Sequence, residues 1–285
     1  MRVAYQGEPG AYGEVAAERV GTPVPVRTFE AVFDAVVTGA AELGALPLEN
    51  TLGGSVHRNY DLLLRYPVAI VGETLVRIEH CVLGVPGAAV ERARRVLSHP
   101  QALAQCEAWL ARHPHLEPVA AYDTAGAAKA LAEARDPGDL AIASERAARV
   151  YGLEVLARGV STLPENQTRF AYVARRDRPP PALPAAPPRK VSLAFTVPHR
   201  RGALFRALAA FALRDVNLTK IESRPWVERP FEYLFYLDFE DTDPPEVGER
   251  AVAQLREFAG VVHWLGRYAR VPEPPAPGPT PATPG

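Results

Sequence analysis

Along the first half of the chain, short apolar runs alternate with stretches whose apolar residues recur every three or four positions. Residues 3–6 and 24–27 read as strands, a helix begins at about Ala11, and Phe29, Val32, Phe33 and Val36 share one face of a second helix. The alternation returns as strand 95–98, helix 101–112, strand 118–122, helix 124–135 and strand 140–143. That order is the signature of an α/β fold. Turns at 7–10, 49–54 and 98–101 stand where strands hand over to helices. Open α/β sheets bind ligands at such strand ends, where helix N-termini present free N–H groups to anions.

After residue 190 the order changes. Val191, Leu193, Phe195 and Val197 alternate as a half-buried strand, Leu204, Leu208 and Phe211 mark a helix, and 218–223 is a second strand. Tyr233, Phe235, Leu237 and Phe239 alternate again, Val252, Leu255 and Phe258 mark another helix, and 261–268 closes the set. This βαββαβ order predicts a ferredoxin-like unit. Its open sheet face and edge invite pairing with a second copy.

Residues 178–189 read RPPPALPAAPPR, which predicts a semi-rigid polyproline II spacer. The stretch 271–285, rich in proline, alanine and glycine, predicts a disordered tail. The chain thus divides into 1–177, the spacer 178–189, a unit at 190–270 and the tail.

A length of 285 residues supports more than one compact core, and 47% apolar with 23% charged residues fits a soluble globular protein. The formal net charge of -1 gives no electrostatic reason to expect nucleic acid or an anionic membrane as partner. No apolar run approaches the roughly 20 residues that span a bilayer. Residues 1–5 lead straight into strand-like sequence without a signal-peptide core, so a cytoplasmic protein is expected. Cys81 and Cys106 lack a Cys-x-x-Cys partner and read as buried small hydrophobes in a reducing compartment. The histidines are scattered without paired helical spacing, and no metal site is expected.

The richest chemistry stands just before the spacer, in Asn166-Gln167-Thr168-Arg169-Phe170. Arg169 offers a fork of donors suited to a carboxylate, Thr168 a neutral hydroxyl and Phe170 a wall against water. The same residues also fit a plain edge strand with alternating faces, and Asn-x-Thr is also a glycosylation sequon. Asn50, Thr51 and Ser55 lie in a Gly-rich turn whose N–H groups suit an anion, or equally a plain strand-to-helix turn. Ser98 reads either as a helix N-cap or as a cleft residue.

Four segments in register resemble prephenate dehydratase: QGEPGAY at 6–12, PLENTLGGSV at 47–56, SHPQAL at 98–103 and NQTRF at 166–170. Beyond the spacer, Gly202-Ala203-Leu204 and NLTKIESRP at 217–225 resemble the phenylalanine-binding ACT domain that accompanies that enzyme in bacteria. The resemblance implies conversion of prephenate to phenylpyruvate in phenylalanine biosynthesis, with feedback by phenylalanine and with neither metal nor organic cofactor. It implies a two-lobed catalytic domain like the periplasmic binding proteins, with lobe one at about 1–75 and 161–177, lobe two at about 76–160, and the site between them. Thr168 would assist the departing hydroxyl, Arg169 would clamp the retained carboxylate, and Phe170 would wall the site. Glu49, Asn50, Thr51, Ser55, Ser98, Gln105 and Asn166 would bind substrate, with Glu49 orienting its neighbours or carrying a raised pKa.

Phenylalanine would bind at Gly202, Ala203, Leu204, Asn217, Leu218, Glu222, Ser223 and Arg224, between paired domains of a homodimer or homotetramer. Two departures stand out. Gly13 replaces a usual serine, and Asp215 replaces a usual glycine in a turn that favours left-handed backbone. Arogenate dehydratase and a non-catalytic amino-acid sensor are the rival readings.

Overall fold

The computed structural model describes residues 1–226 and 232–272. The chain opens with β1 (Arg2–Gln6), α1 (Tyr12–Glu18), β2 (Thr22–Val26), α2 (Phe29–Thr38), β3 (Leu43–Asn50), a two-residue β4 (Gly54–Ser55), α3 (His57–Arg65) and β5 (Val68–Arg77). It then crosses to β6 (Cys81–Gly84), β7 (Arg95–Ser98), α4 (Pro100–Gln105), α5 (Glu107–Ala111), β8 (Glu117–Ala120), α6 (Thr124–Ala134), β9 (Asp139–Ala143), α7 (Glu145–Tyr151) and β10 (Glu154–Ala157). β11 (Gln167–Arg175) returns to the first sheet between β5 and β3. β12 (Ala186–Thr196), α8 (Ala203–Ala212), β13 (Leu218–Pro225), β14 (Tyr233–Glu240), α9 (Glu246–Phe258) and β15 (Val262–Arg270) follow in the expected βαββαβ order.

Two sheets result. The smaller runs β10-β6-β9-β7-β8, and the larger runs β13-β14-β12-β15-β5-β11-β3-β1-β2 with β4 beside β3. The architecture is α/β, as the alternation predicts, and two-lobed, as the resemblance implies. β9, parallel to β7 and antiparallel to β6, is buried along its whole length, as a central strand covered on both faces must be. α2 starts where Thr28 Oγ1 accepts from Ala31 N at 3.1 Å and stops at Gly39 in left-handed conformation (φ 79). Leu83, Val96, Leu140 and Ile142 fill the smaller lobe, Val3, Tyr5, Leu43 and Tyr172 pack the larger one, and Phe195, Phe211, Leu237 and Phe239 fill the C-terminal unit.

Three expectations are corrected. The helix expected at 101–112 breaks at Cys106, because the Gln105 carbonyl accepts from Thr162 N at 2.7 Å and is lost to the helical ladder. The spacer is not free of strand: β12 begins at Ala186, which pairs with Arg270, and the register of this ladder shifts between Ala186 and Arg189. Leu183 packs against the core near Gly72. The tail does not begin at 271, since Val271 is 2% exposed and its N donates to Glu73 O at 2.7 Å. The tail expected beyond it lies outside the described residues from 273 onward.

Candidate active site

A cavity of about 400 Å³ opens where the two lobes face each other. The larger lobe contributes Gln6, Tyr12, Gly13, Asn50, Thr168 and Phe170, and the facing lobe His80, His99, Gln101, Gln105, Asp123 and Thr124. Its volume suits a small metabolite. Among the described residues no lysine or arginine lines it. Positive potential comes instead from the N-termini of α1 and α6, whose first residues border it, and of α4, which borders it from its second residue Gln101, together with side-chain amides.

The orientation of three linked amides, Asn50, Asn166 and Gln105, follows from two backbone groups. Leu52 N and Gly53 N donate to Asn50 Oδ1 at 3.0 and 2.7 Å, so Asn50 Nδ2 faces the strand β11 as a donor. It donates to Asn166 Oδ1 at 2.7 Å and to Thr168 Oγ1 at 2.9 Å. Asn166 Nδ2 must then donate to Gln105 Oε1, at 3.0 Å, and the same oxygen lies 3.0 Å from His80 Nε2. His80 therefore carries its proton on Nε2 and leaves Nδ1 as a buried lone pair without a partner. Burial holds the His80 imidazole below its ordinary value, in agreement with that neutral form.

For Thr168 the consequence is direct. Its oxygen accepts from Asn50, so its own proton is free to be donated into the cavity. Asp123, at the N-cap of α6, accepts from Gly126 N, and burial followed by the nearby Glu8 carboxylate raises it. A less charged Asp123 opposes an anion in the cavity less strongly.

Strand alternation separates the expected site residues. Thr168 and Phe170 face the cavity, while Arg169, between them, faces the opposite side of the sheet. Its expected place against substrate is therefore corrected: Nε, Nη1 and Nη2 donate to Glu73, Asp238 and Tyr268 at 2.7, 2.7 and 2.6 Å. Glu49 turns the same way and pairs with Arg169 and Lys220 at 3.7 and 3.4 Å.

Ser55 accepts from Lys220 Nζ at 2.9 Å and donates to Glu222, outside the cavity. Thr51 ties its loop to β11 by accepting from Gln167 N at 3.0 Å. Asn166 is fully buried behind Asn50 and Gln105. Ser98 is neither cap nor lining, because its hydroxyl donates to Ile142 O at 2.6 Å and His99 caps α4 instead.

Residues 3–178 match the sequence model of the family described as prephenate dehydratase. The chain belongs to the prephenate dehydratase family. Its members are dehydratase enzymes. The chain is 46% identical to the chloroplastic arogenate dehydratase/prephenate dehydratase 2 of Arabidopsis thaliana, over 94% of this chain and 72% of that protein. Among solved structures, the prephenate dehydratase of Arthrobacter aurescens in complex with L-Phe superposes with a TM-score of 0.84 at 30% identity, covering 97% of this chain and 92% of that one. GqqA, described as a novel type of quorum-quenching acylase, superposes with a TM-score of 0.82 at 38% identity, covering 95% and 98%.

These relatives overturn the cytoplasmic expectation, since three of the similar Arabidopsis enzymes, at 46, 44 and 43% identity, are chloroplastic.

The residues expected to hold phenylalanine fall into two groups. Gly202, Ala203 and Leu204 line a cavity of about 250 Å³ with Val197, Tyr233 and Phe235. Gly202 needs its flexibility there, with φ 71 at the start of α8. Asp215 also takes left-handed backbone, φ 54, where the usual glycine would stand. On β13, Ser223 is exposed, and Leu218 pairs with Phe239 of β14. Asn217, just before β13, is exposed as well.

Glu222 and Arg224 both form ion pairs within the chain. Glu222 pairs with Lys220 at 2.9 Å, and Arg224 pairs with Asp61 at 2.7 Å on α3. His80, His99, Asp123 and Thr124 are cavity residues that motif reading missed. The HPQ segment held a signal for His99, because a proline at the first helical position points to the residue before it as the cap.

Proposed function

We propose that this chain removes water and carbon dioxide from a cyclohexadienol dicarboxylate, prephenate or arogenate, to build the aromatic ring of phenylalanine. The observation that carries the reading is the donor orientation of Thr168 in a cavity walled by Phe170. In the reaction the ring C–O bond and the bond to the ring carboxylate both break, carbon dioxide leaves, and the electron pair of the latter aromatises the ring. Thr168 donates to the departing oxygen, where negative charge develops. Its hydroxyl is too weak an acid to surrender the proton outright, so a water completes the transfer. Such assistance is worth about 10²- to 10⁴-fold. Helix N-termini, Gln101 and Gln105 hold the carboxylates, with no lysine or arginine among the described residues to clamp the carboxylate that must depart.

Arogenate has equal standing as substrate, because similar plant proteins carry that activity in their names. An acylase reading, prompted by the similarity to GqqA, fits the site less well. A threonine nucleophile needs a base in hydrogen-bond reach, and Thr168 Oγ1 meets the amide donor of Asn50 instead. A sensor without catalysis would not need that free hydroxyl.

The C-terminal βαββαβ unit serves in this reading as an ACT domain that binds phenylalanine at Gly202, Ala203 and Leu204. Exposed Phe205, Leu213, Ile221 and Tyr233 on the same unit favour assembly as a homodimer or a pair of dimers. Ultraviolet detection of phenylpyruvate from purified prephenate and of phenylalanine from arogenate, each with and without added phenylalanine, tests these points. Turnover of neither substrate overturns the dehydratase reading, and activity indifferent to phenylalanine overturns the regulatory one.

A further inference from the structure

The reacting rung of the sheet has a neighbour that faces the other way. In the β3–β11 ladder Thr168 stands opposite Asn50, and the next rung pairs Arg169 with Glu49. The first rung lines the cavity, while the second faces the C-terminal unit, which buries Arg169. Arg169 is 8% exposed, and Glu73, Asp238, Tyr268 and Ser192 are 1, 3, 4 and 1% exposed around it.

The hydrogen bonds there form a closed ring in which both arms start at Arg169 and end at Asp238. Arg169 Nη2 donates to Tyr268 Oη, so the tyrosine proton goes to Ser192 Oγ at 2.6 Å. Ser192 in turn donates to Asp238 Oδ1 at 2.5 Å, and Asp238 Oδ2 accepts from Arg169 Nη1 at 2.7 Å. Glu73 on β5 takes Arg169 Nε and is balanced by Lys190 on β12 at 3.0 Å. On the far side of the rung, Lys220 of β13 bridges Glu49 and Ser55 at 3.4 and 2.9 Å. Every strand of the C-terminal unit thus holds a group on this cluster.

A guanidinium held by a fork of buried acceptors has little freedom. Its backbone neighbour is Thr168, whose usefulness depends on where its hydroxyl points. We propose that the C-terminal unit positions Thr168 for reaction by gripping the adjacent rung, with Arg169 as the positioning residue and Asp238, Tyr268 and Glu73 as its holders. This rests on the dehydratase reading for its catalytic consequence alone; the mechanical link between the two rungs stands apart from it.

The test uses the full chain carrying Tyr268→Phe, which opens the ring while keeping the aromatic body, and Asp238→Asn beside it. Tyr268→Phe is expected to lower kcat by about 10-fold with KM changed less than about twofold, because misplacement of a reacting group acts on the chemical step. In a Thr168→Ala background the same substitution is expected to cost less than about twofold, since there is no hydroxyl left to place. Hydrogen exchange of the backbone amides at 167–170 is expected to quicken by about 10-fold more than that of the core amides of β9 in the smaller lobe, which report any global loss of stability.

Equal losses in both backgrounds, or a slow kcat without faster exchange, overturn the proposal. So does a wild-type kcat and exchange rate in a folded variant. If the unaltered chain turns over neither substrate, the dehydratase reading fails, and the exchange measurement still decides whether the C-terminal unit holds this rung. Should Asp238→Asn not fold, Tyr268→Phe decides alone.

Discussion

Asn50 Nδ2 lies 2.9 Å from Thr168 Oγ1, and it can only donate, because Asn50 Oδ1 is committed to the amides of Leu52 and Gly53. An asparagine side chain held by a turn thereby decides which way a threonine proton points. Asn50→Asp inverts this, since a carboxylate oxygen at the same place accepts the threonine proton and withdraws it from the cavity. We expect Asn50→Asp and Thr168→Ala to lower kcat to a similar degree, about 10²-fold or more, while Thr168→Ser retains most activity. Steady-state kinetics on prephenate and arogenate measure this, and an Asn50→Asp enzyme of near-normal kcat would contradict the assignment.

Asn166 is the hinge of the amide network, accepting from Asn50 and donating to Gln105 while fully buried. Asn166→Asp sets a carboxylate oxygen against Gln105 Oε1 and leaves that oxygen one donor short. The expected cost is about 1–3 kcal/mol of stability, read from urea unfolding.

His80 gives a pH dependence with a definite sign. Its folded-state pKa lies below the ordinary value of 6.5, so the unfolded chain takes up the proton first as pH falls. Stability is therefore expected to decline as pH drops from about 7 through the folded-state pKa. His80→Gln keeps a donor for Gln105 and removes the titration. Its melting temperature should vary less with pH over that window, and parallel curves for the two proteins would refute the idea.

Glu73 acts at lower pH. Burial opposes its charge, yet Arg169 and Lys190 outweigh that and hold the carboxyl below its ordinary 4.5. Its contribution is present above the unfolded value and lost as pH falls through the folded one. Glu73→Gln is expected to flatten this acid limb and, by removing the buried charge that balances Arg169 and Lys190, to cost about 3 kcal/mol at neutral pH. Calorimetry at a series of pH values reads both effects.

The α/β alternation and the βαββαβ order were legible because each depends on local periodicity. The site was legible in part, and the reason lies in Thr168, Arg169 and Phe170. Motif reading treats three adjacent residues as one cluster, whereas an extended backbone sends the middle one to the opposite face. The break at Cys106 was not legible, since the group that captures the Gln105 carbonyl is Thr162, remote in sequence and brought close only by the fold. His80 was equally silent, its role being set by Gln105 on α4 and, behind it, by Asn166 and Asn50.

Phe205 and Leu213 are 76% and 77% exposed on the outer side of α8. We expect the double substitution Phe205→Glu with Leu213→Glu to shift the protein to a smaller species in sedimentation velocity. Subunit stability should change by no more than about 0.5 kcal/mol, as is usual for exposed positions. An unchanged sedimentation coefficient would place any self-association elsewhere.

β5 sits between β11 and β15, so one of its neighbours is among the last strands of the chain to be made. On the ribosome, residues 68–77 must wait for 262–270 before that side is covered. Until then a nascent chain carries an open strand edge and a carboxylate, Glu73, whose Lys190 counter-charge is also still to come. Open edges of this kind invite pairing with other chains. The union of the two units in one sheet thus makes the unfinished chain dependent on protection during synthesis, and makes a shortened gene ending near the proline spacer a poor source of soluble enzyme.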